Sequence, residues 1–432
     1  MNRVVLILLL VLAATICAET RSRVKRQFLP YGYGMPYYNP YIFYRPIPPP
    51  IYPYIKQTCL IDVHKKHGGK LVEFAGYEMP TQYADLSIKE STIHTRKHAS
   101  IFDVSHMLQT HIVGKDREAF IESLTTADVQ GLKPNSGTLS VFTNEKGGIK
   151  DDLIIMKTDK DFLFLVTNAG CINKDLPYLL ENSQKWRSNG KDVEIKTLDN
   201  RGLVAVQGPE MAKVLHAETD INMSKLMFMN TTVGKVFGID GCRVTRCGYT
   251  GEDGVEISVD PKQAPLLVER LLASNQGNMK LAGLGARDAL RLEAGLCLYG
   301  NDIEENTTPI EAGLAFVVAK RRRETMDFPG AEIIVNQLKE KSWPKRRVGL
   351  IAQPGRAPRS HLPLIDPLDN CTIGFVTSGC PSPCLGKNIA IAYVDKSHSK
   401  VGTKFVVDFG AKQSGVEVVK MPFVPTRYYT GK

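Results

Sequence analysis

Apolar residues in this chain recur in short runs rather than long stripes. Residues 153–156 and 162–166 are unbroken apolar runs within segments punctuated by Gly, Asp and Asn, the signature of buried strands. Over residues 119–124 and 264–272 the apolar period lengthens to that of a helix. Strand and helix signals alternate along the body of the chain, so its fold class reads as mixed α/β (α+β). From about Arg347 the pattern changes. Residues 348–352, 372–376, 388–393 and 403–407 are short strands separated by turns, which predicts a small β-barrel at the C-terminal end. Met326-Asp-Phe-Pro-Gly330 and Trp343-Pro344 punctuate the chain ahead of it and place a domain boundary within residues 325 to 345.

The start of the chain breaks this pattern. Residues 1–18 have a charged beginning, an apolar stretch from Val4 to Ala14 and a small-residue end, the build of a secretory signal and too short to span a bilayer. Residues 19–57 open with the dibasic tract Arg23-Val-Lys-Arg26. They continue as a Tyr/Pro-rich segment containing Pro48-Pro-Pro50, which favours extended polyproline-like conformations and cannot build a core. Globular composition begins at about Thr58.

A length of 432 residues with 43% hydrophobic and 23% charged is ordinary for a globular protein with room for several domains. The surplus of 55 basic over 45 acidic residues, net +10, favours an anionic partner. Lys320-Arg-Arg-Arg323 and Lys345-Arg-Arg347 are the densest basic clusters and read as a solvated basic face. They lack the interleaved aromatics of a single-strand stacking platform, so nucleic acid gains no support as a partner. The nine cysteines, at 17, 59, 171, 242, 247, 297, 371, 380 and 384, form no CxxC pair and no set at zinc-ligand spacing, and read as reduced thiols.

No GxxxxGK[ST] loop, GxGxxG turn, HExxH or GxSxG is present, so nucleotide hydrolysis, dinucleotide binding and zinc proteolysis have no sequence support. Three Gly-punctuated segments carry polar residues instead. In the first a Gly147-Gly148 turn delivers Asp151 and Asp152 to a strand, where one caps the turn and the other faces water unless both are functional. In the second, a glycine-rich turn from Arg246 leads into a strand with Glu256 and Ser258 on one face and Val255, Ile257 and Val259 on the other. Glu256 is then either on a solvent face or in a pocket, where its two oxygens match a paired ring N–H and exocyclic amine. The third is an amphipathic helix within residues 281–295 whose Arg287 and Arg291 lie one turn apart, the spacing of helix-surface salt bridges.

Seven blocks, in order, carry a resemblance. Phe74-Ala-Gly-Tyr-Glu-Met-Pro80, Phe102-Asp-Val-Ser-His-Met-Leu108, Gly147-Gly-Ile-Lys-Asp-Asp-Leu153 and Asn168-Ala-Gly-Cys171 resemble the aminomethyltransferase family, the T-proteins of the glycine cleavage system. So do Arg246-Cys-Gly-Tyr-Thr-Gly-Glu-Asp-Gly-Val-Glu256, Arg287-Asp-Ala-Leu-Arg-Leu-Glu-Ala-Gly-Leu-Cys-Leu-Tyr-Gly-Asn-Asp302 and Met421-Pro-Phe-Val-Pro-Thr-Arg-Tyr-Tyr429. The resemblance spans about residues 58 to 432. It implies a three-domain cloverleaf around a central folate channel, with residues 58–335 as a folate-binding core of two subdomains and 345–432 as the barrel.

That family moves the methylene of an aminomethyl group, carried on the lipoyl arm of H-protein, to tetrahydrofolate, and releases ammonia. The resemblance assigns Asp152 as the catalytic carboxylate and Glu256, Arg287 and Tyr428 to the folate acceptor, with Met107, Asn168 and Tyr249 lining the channel. It implies tetrahydrofolate as acceptor substrate, no metal, and lipoylated H-protein and the other glycine cleavage components as partners, without nucleic acid or membrane. A non-catalytic folate-binding scaffold of the same fold is the alternative; its Cys-containing KGCYxGQE-like signature is replaced here by Arg246-Cys-Gly-Tyr-Thr-Gly-Glu-Asp253. A relative that oxidises glycine derivatives would carry a flavoprotein domain, which nothing in the sequence resembles. The family implies the mitochondrial matrix, whereas the N-terminus reads as a secretory leader, so a misjoined gene model or exon fusion is expected upstream of residue 58.

Overall fold

The computed structural model describes residues 55–199, 201–410 and 412–431. The leader at 1–18 and the Tyr/Pro tract up to residue 54 lie outside the described residues. The chain joins the fold at β1 (Lys56–Gln57), which pairs in parallel with β3 (Tyr77–Pro80); β2 (Leu71–Phe74) completes a three-stranded sheet.

Side-chain alternation along the next strands builds two sheets that share an inner face. Strands β5 (Leu108–Val113), β6 (Ser136–Thr143), β7 (Ile149–Lys157), β8 (Phe162–Thr167) and β9 (Glu194–Thr197) form an antiparallel sheet in the order β6-β7-β8-β5-β9. Leu153, Ile155, Leu163 and Leu165 point outward to a core shared with Phe120, Ile121 and Leu179 of the helices Arg117–Glu122 and Ile172–Ser188. Their neighbours Ile154, Met156, Phe164 and Val166 point to the opposite, inner face.

The second sheet contains β4 (Ala99–Asp103), β10 (Gly202–Gln207), β11 (Thr231–Val236), β12 (Ile239–Thr245), β13 (Gly254–Val259) and β14 (Met279–Leu281), ordered β11-β12-β13-β10-β4-β14. Val204, Val206, Val255, Ile257 and Val259 pack against the helices Met211–His216 and Ala264–Ala273. Phe102, Leu203 and Ala205 face inward and meet Ile154, Met156 and Phe164 of the first sheet. The two sheets thus enclose an apolar seam, with helices outside.

The expected barrel is present. Strands β15 (Lys345–Ala352), β16 (Pro363–Ile365), β17 (Thr372–Ser382), β18 (Lys387–Asp395), β19 (Lys404–Asp408) and β20 (Gln413–Val419) close in the order β15-β18-β17-β16-β19-β20. Leu350, Leu364, Val376, Ala390, Phe405 and Val416 fill it. Sequence patterning anticipates four of these strands. It misses β16, which is only 3 residues long, and β20, where Gln413, Ser414 and Gly415 mask the apolar run. Inside the expected boundary interval lies the helix Ala331–Glu340, whose Ala331 and Ile334 pack with Val141 and Ile149 of the first sheet. That helix ends at Glu340, and the first barrel strand begins at Lys345.

The helix Leu284–Glu293 joins these parts. Ala286 and Leu290 enter the seam, while Ala289 and Leu292 pack on Cys380, Ile389 and Ile391 of the barrel. Arg291 corrects the surface reading of this helix: it is 2% exposed. Its guanidinium bonds Asp302 at 2.6 Å, Asp288 at 2.9 Å and the Ser378 hydroxyl of β17 at 2.9 Å. A helix enclosed on several sides has no solvent-facing stripe for such a side chain, and three partners offset the cost of burying the charge.

The basic clusters need the same correction. Arg322 is 0% exposed and donates to Asp327 and the Glu122 carbonyl. Arg321 pairs with Glu122 and Asp128, and Arg323 donates to the Val318 and Ala315 carbonyls, both at 2.8 Å. Arg347 donates to the Ala312 carbonyl at 2.6 Å and the Gly295 carbonyl at 2.9 Å. The rigid, many-donor guanidinium satisfies carbonyls that secondary structure leaves over, so Arg322, Arg323 and Arg347 join segments of the fold, while Lys320 is exposed and the Arg321 side chain is 36% exposed. All eight described cysteines are free thiols. No helix among the described residues is long and apolar enough to cross a membrane.

Candidate active site

The turn before β7 is held by Asn144, whose side-chain oxygen accepts from the backbone N–H of Lys146 at 2.9 Å and of Gly148 at 3.0 Å. Glycine is obligatory at 148, because a Cβ there would lie 1.8 Å from the Glu305 carbonyl oxygen. From this turn alternation separates the two aspartates. Asp151 points outward with Leu153, and Asp152 points inward with Ile154. Neither matches the capping or solvated role: Asp151 is 0% exposed and Asp152 is half-buried.

Asn168, at the end of β8, links the two. Its backbone N–H donates to Asp151 at 3.1 Å, and its side-chain amide reaches Asp151 Oδ1 at 3.0 Å and Asp152 Oδ1 at 3.0 Å. Burial, reinforced by the adjacent Asp151 charge, pushes the Asp152 carboxyl up to about 7, against the pull of the Asn168 amide. Asp152 can therefore take up and release a proton near neutrality.

Glu256 faces the same seam from the other sheet. It pairs across the ladder with Ala205, an inward residue, and is 9% exposed, which decides its open placement in favour of the interior. Burial raises its proton affinity, while Arg287 and the Cys247 thiol draw it back down. The Arg287 guanidinium lies 4.7 Å from the centre of the Tyr249 ring, and the Tyr249 hydroxyl donates to the Cys297 carbonyl. The Asp152 charge acts on both Tyr249 and Cys297, which ties this side of the site to the first sheet. Met107 is partly buried in the seam.

The glycines of the Arg246 segment have a packing cause. Gln207 is buried beneath the turn, donating to the Cys247 carbonyl at 3.0 Å and accepting from the Thr250 hydroxyl at 2.9 Å. A Cβ on Gly248 or Gly254 would come within 1.9 or 2.2 Å of the Gln207 side chain. Only a bare backbone fits around that amide.

Tyr428 arrives by a route that local sequence does not reveal. After β20 the chain returns from the barrel to the second sheet. Val424 N–H donates to the Glu293 carbonyl at 2.9 Å, Arg427 N–H to the Gly251 carbonyl at 2.8 Å, and Phe228 N–H to the Tyr429 carbonyl at 2.9 Å. Tyr428 then stacks on Phe228 with ring centres 4.3 Å apart, and burial, together with the Glu252 charge, raises its proton affinity against the pull of Arg96.

Two supporting groups are not among the residues singled out from sequence. Buried Arg96 contacts Glu293 at 3.0 Å and Glu252 at 2.9 Å, and Glu293 in turn accepts from Ser382 Oγ of the barrel at 2.6 Å. This network holds the glycine-rich turn, the helix Leu284–Glu293 and the barrel together. His106 is buried against Phe74, with ring centres 5.5 Å apart, and burial lowers it to about 4, so it is neutral. It stands next to Met107 in the Phe102–Leu108 block, which was the available signal. Among the described residues, Asp151, Cys171 and Asp175 form one buried trio whose donor atoms lie within 4.8 Å of one another.

Two facing sheets with carboxylates in their seam, joined to a closed barrel, form the fold of an aminomethyltransferase. The crystal structure of glycine cleavage system aminomethyltransferase T from Bartonella henselae matches with a TM-score of 0.80 and 36% identity, over 87% of this chain and 99% of that one. Residues 60–322 match the GCVT N-terminal domain and residues 345–425 the glycine cleavage T-protein C-terminal barrel domain. The mitochondrial aminomethyltransferase of Homo sapiens is 53% identical over 378 residues, 88% of this chain and 92% of that protein. That of Gallus gallus is 52% identical over 88% of this chain and 95% of its own, and that of Pisum sativum 50% over 87% and 91%. The chain belongs to the glycine cleavage T-protein family of aminomethyltransferases.

Proposed function

We propose that this aminomethyltransferase of the glycine cleavage system uses Asp152 to manage protons while the seam orients tetrahydrofolate. The donor is the aminomethyl group on the lipoyl arm of H-protein, and the products are 5,10-methylenetetrahydrofolate, ammonia and the dihydrolipoyl arm. The carbon changes partners, from sulfur and nitrogen to two folate nitrogens, without change of oxidation level, so the reaction balances with no redox cofactor. Two protons leave the folate nitrogens; one ends on ammonia and one on sulfur. A carboxyl whose proton affinity is raised by burial, held by Asn168 on the inner face of β7, suits that traffic, and this placement of Asp152 in the seam is the observation that carries the reading.

Glu256 then accepts from the ring N–H and exocyclic amine of the pterin, and Arg287 supplies a fixed donor. Tyr428 forms an aromatic wall, and Met107, Asn168 and Tyr249 line the approach. The separate apolar clusters of the sheets and the barrel support a division into a core of residues 58–335 and a barrel of 345–432, with the helix Ala331–Glu340 and the tail after Val419 packed on the core side. Lipoylated H-protein and the other glycine cleavage components are the partners, and the mitochondrial matrix is the compartment, in line with relatives named mitochondrial. The secretory-type leader is the feature at odds with it, and sequencing the 5′ end of the transcript decides whether residues 1–57 are made. For the activity, purified chain is mixed with aminomethyl-loaded H-protein and tetrahydrofolate. Methylenetetrahydrofolate and ammonia in equal amounts are expected; folate binding without either product would leave the scaffold reading.

A further inference from the structure

Behind the seam, on the outward face of β7, two carboxyl groups lie together and, among the described residues, no cationic side chain forms an ion pair with either. Asp151 is 0% and Asp175 1% exposed, and with the Cys171 thiol their donor atoms fall within 4.8 Å of one another. Asp151 is well provided with donors. It accepts from the Asn168 backbone at 3.1 Å, from the Asn168 amide at 3.0 Å and from the Cys171 thiol. Asp175 is not: both of its oxygens are buried and neither accepts a hydrogen bond among the described residues. What Asp175 faces is Asp151 itself.

The surrounding groups do not neutralise a double charge. Lys174, on the same helix as Asp175, directs its ammonium to the Tyr299 hydroxyl and to Glu305 at 3.4 Å. The Tyr299 hydroxyl donates to the Ile149 carbonyl at 3.2 Å. Cys171 stays a thiol, because burial and both carboxyls oppose its ionisation, and Asp152 on the opposite face of β7 adds a further negative group. Two ionised carboxylates this close in a dry interior are excluded unless they share a proton or hold a metal ion. A cation would compete with the Asn168 N–H groups already aimed at both Asp151 oxygens. A proton does not. Since Asp151 has the donors and Asp175 has none, the proton belongs on Asp175.

We propose that Asp175 is a neutral carboxylic acid donating to Asp151, so that the pair carries one negative charge, held on Asp151, and through Asn168 keeps Asp152 oriented and ready to exchange a proton. Asp175 is thus a positioning residue for the transfer reaction. The inference rests on the role given to Asp152 under the proposed function, but its tests separate the two.

The first test is infrared difference spectroscopy on the full chain, well above the pH at which Asp152 titrates. The C=O stretch of a protonated carboxylic acid is expected and should vanish in Asp175→Asn. The second is the pH profile of kcat. Asp175→Asn keeps a donor to Asp151 and leaves the charge count unchanged, so the acid limb should stay in place. Asp175→Leu removes the donor; kcat should fall about tenfold or more with the folate KM little changed, and the Asn variant should recover most of that loss. Three results would each overturn the proposal: no protonated-acid band, an acid limb lowered by about one unit or more in Asp175→Asn, or a stoichiometric metal found by elemental analysis. The infrared and Asn results decide the matter even where the Leu variant does not fold. If Asp152→Asn keeps full turnover while the band persists, the role of Asp152 is wrong and the shared proton stands.

Discussion

Asp152→Asn removes one titrating proton from the seam and preserves the shape of the side chain. In the folded chain this carboxyl is lifted from 3.8 to about 7, first by burial and then by the Asp151 charge. The shift of about three units, at about 1.4 kcal/mol each, means that keeping Asp152 ionised costs the fold at most about 4 kcal/mol. The sign follows from proton counting. The native state binds this proton more tightly than the unfolded chain, so the stability it contributes is complete below pH 3.8 and is lost as pH rises through about 7.

The variant should therefore melt higher than the parent above pH 7, and the gain should shrink to nothing as pH falls towards 4. Turnover should move the other way. The parent should lose kcat as pH falls below about 7, because the base is being protonated. The variant should lack that limb and run about 10²- to 10³-fold slower. Thermal denaturation across a pH series and single-turnover methylene transfer measure both. Unchanged turnover, or a melting shift independent of pH, would refute the account of Asp152.

Other predictions follow from the same geometry. Glu256→Gln should weaken tetrahydrofolate binding by about 1.5–3 kcal/mol, since a charged acceptor of two N–H donors becomes half donor; calorimetric titration with the folate measures it, and unaltered affinity counts against the seam as the pterin site. Arg291→Leu should cost about 3–5 kcal/mol, because the buried Asp302 carboxylate loses its 2.6 Å partner; urea unfolding would expose a smaller effect. Gly148→Ala should destabilise the chain and slow turnover together, as the Glu305 carbonyl at 1.8 Å from the new Cβ must move and take the Asp152 turn with it; a crystal structure with the turn unmoved would contradict this.

Much of the architecture is legible in the sequence for a local reason. Period-two alternation along residues 254–259 says which side chains share a face before any fold is known, and Glu256 does lie opposite Val255 and Ile257. Short apolar runs marked the core of four barrel strands, and seven ordered blocks pointed to the family. What alternation cannot say is what covers each face. Glu256 could have faced water; a second sheet packed on its side of β13 put it inside. Arg291 and Arg322 carry the spacing and clustering of surface cations, yet both are buried because a barrel and a loop close over them.

The sequence by itself determined three of the sheet strands, four of the six barrel strands, the family and the identity of the polar residues, because these depend on periodicity and on residue types close together in the chain. Only the tertiary structure decided which of them meet. Tyr428 reaches the second sheet because the tail after β20 turns back from the barrel. Asp151 and Asp152 are adjacent in sequence but stand on opposite faces of β7, one against Asp175 and the other in the seam. Burial and a neighbouring charge make a carboxyl titrate near neutrality, and both come from segments remote in the chain, which no local pattern records.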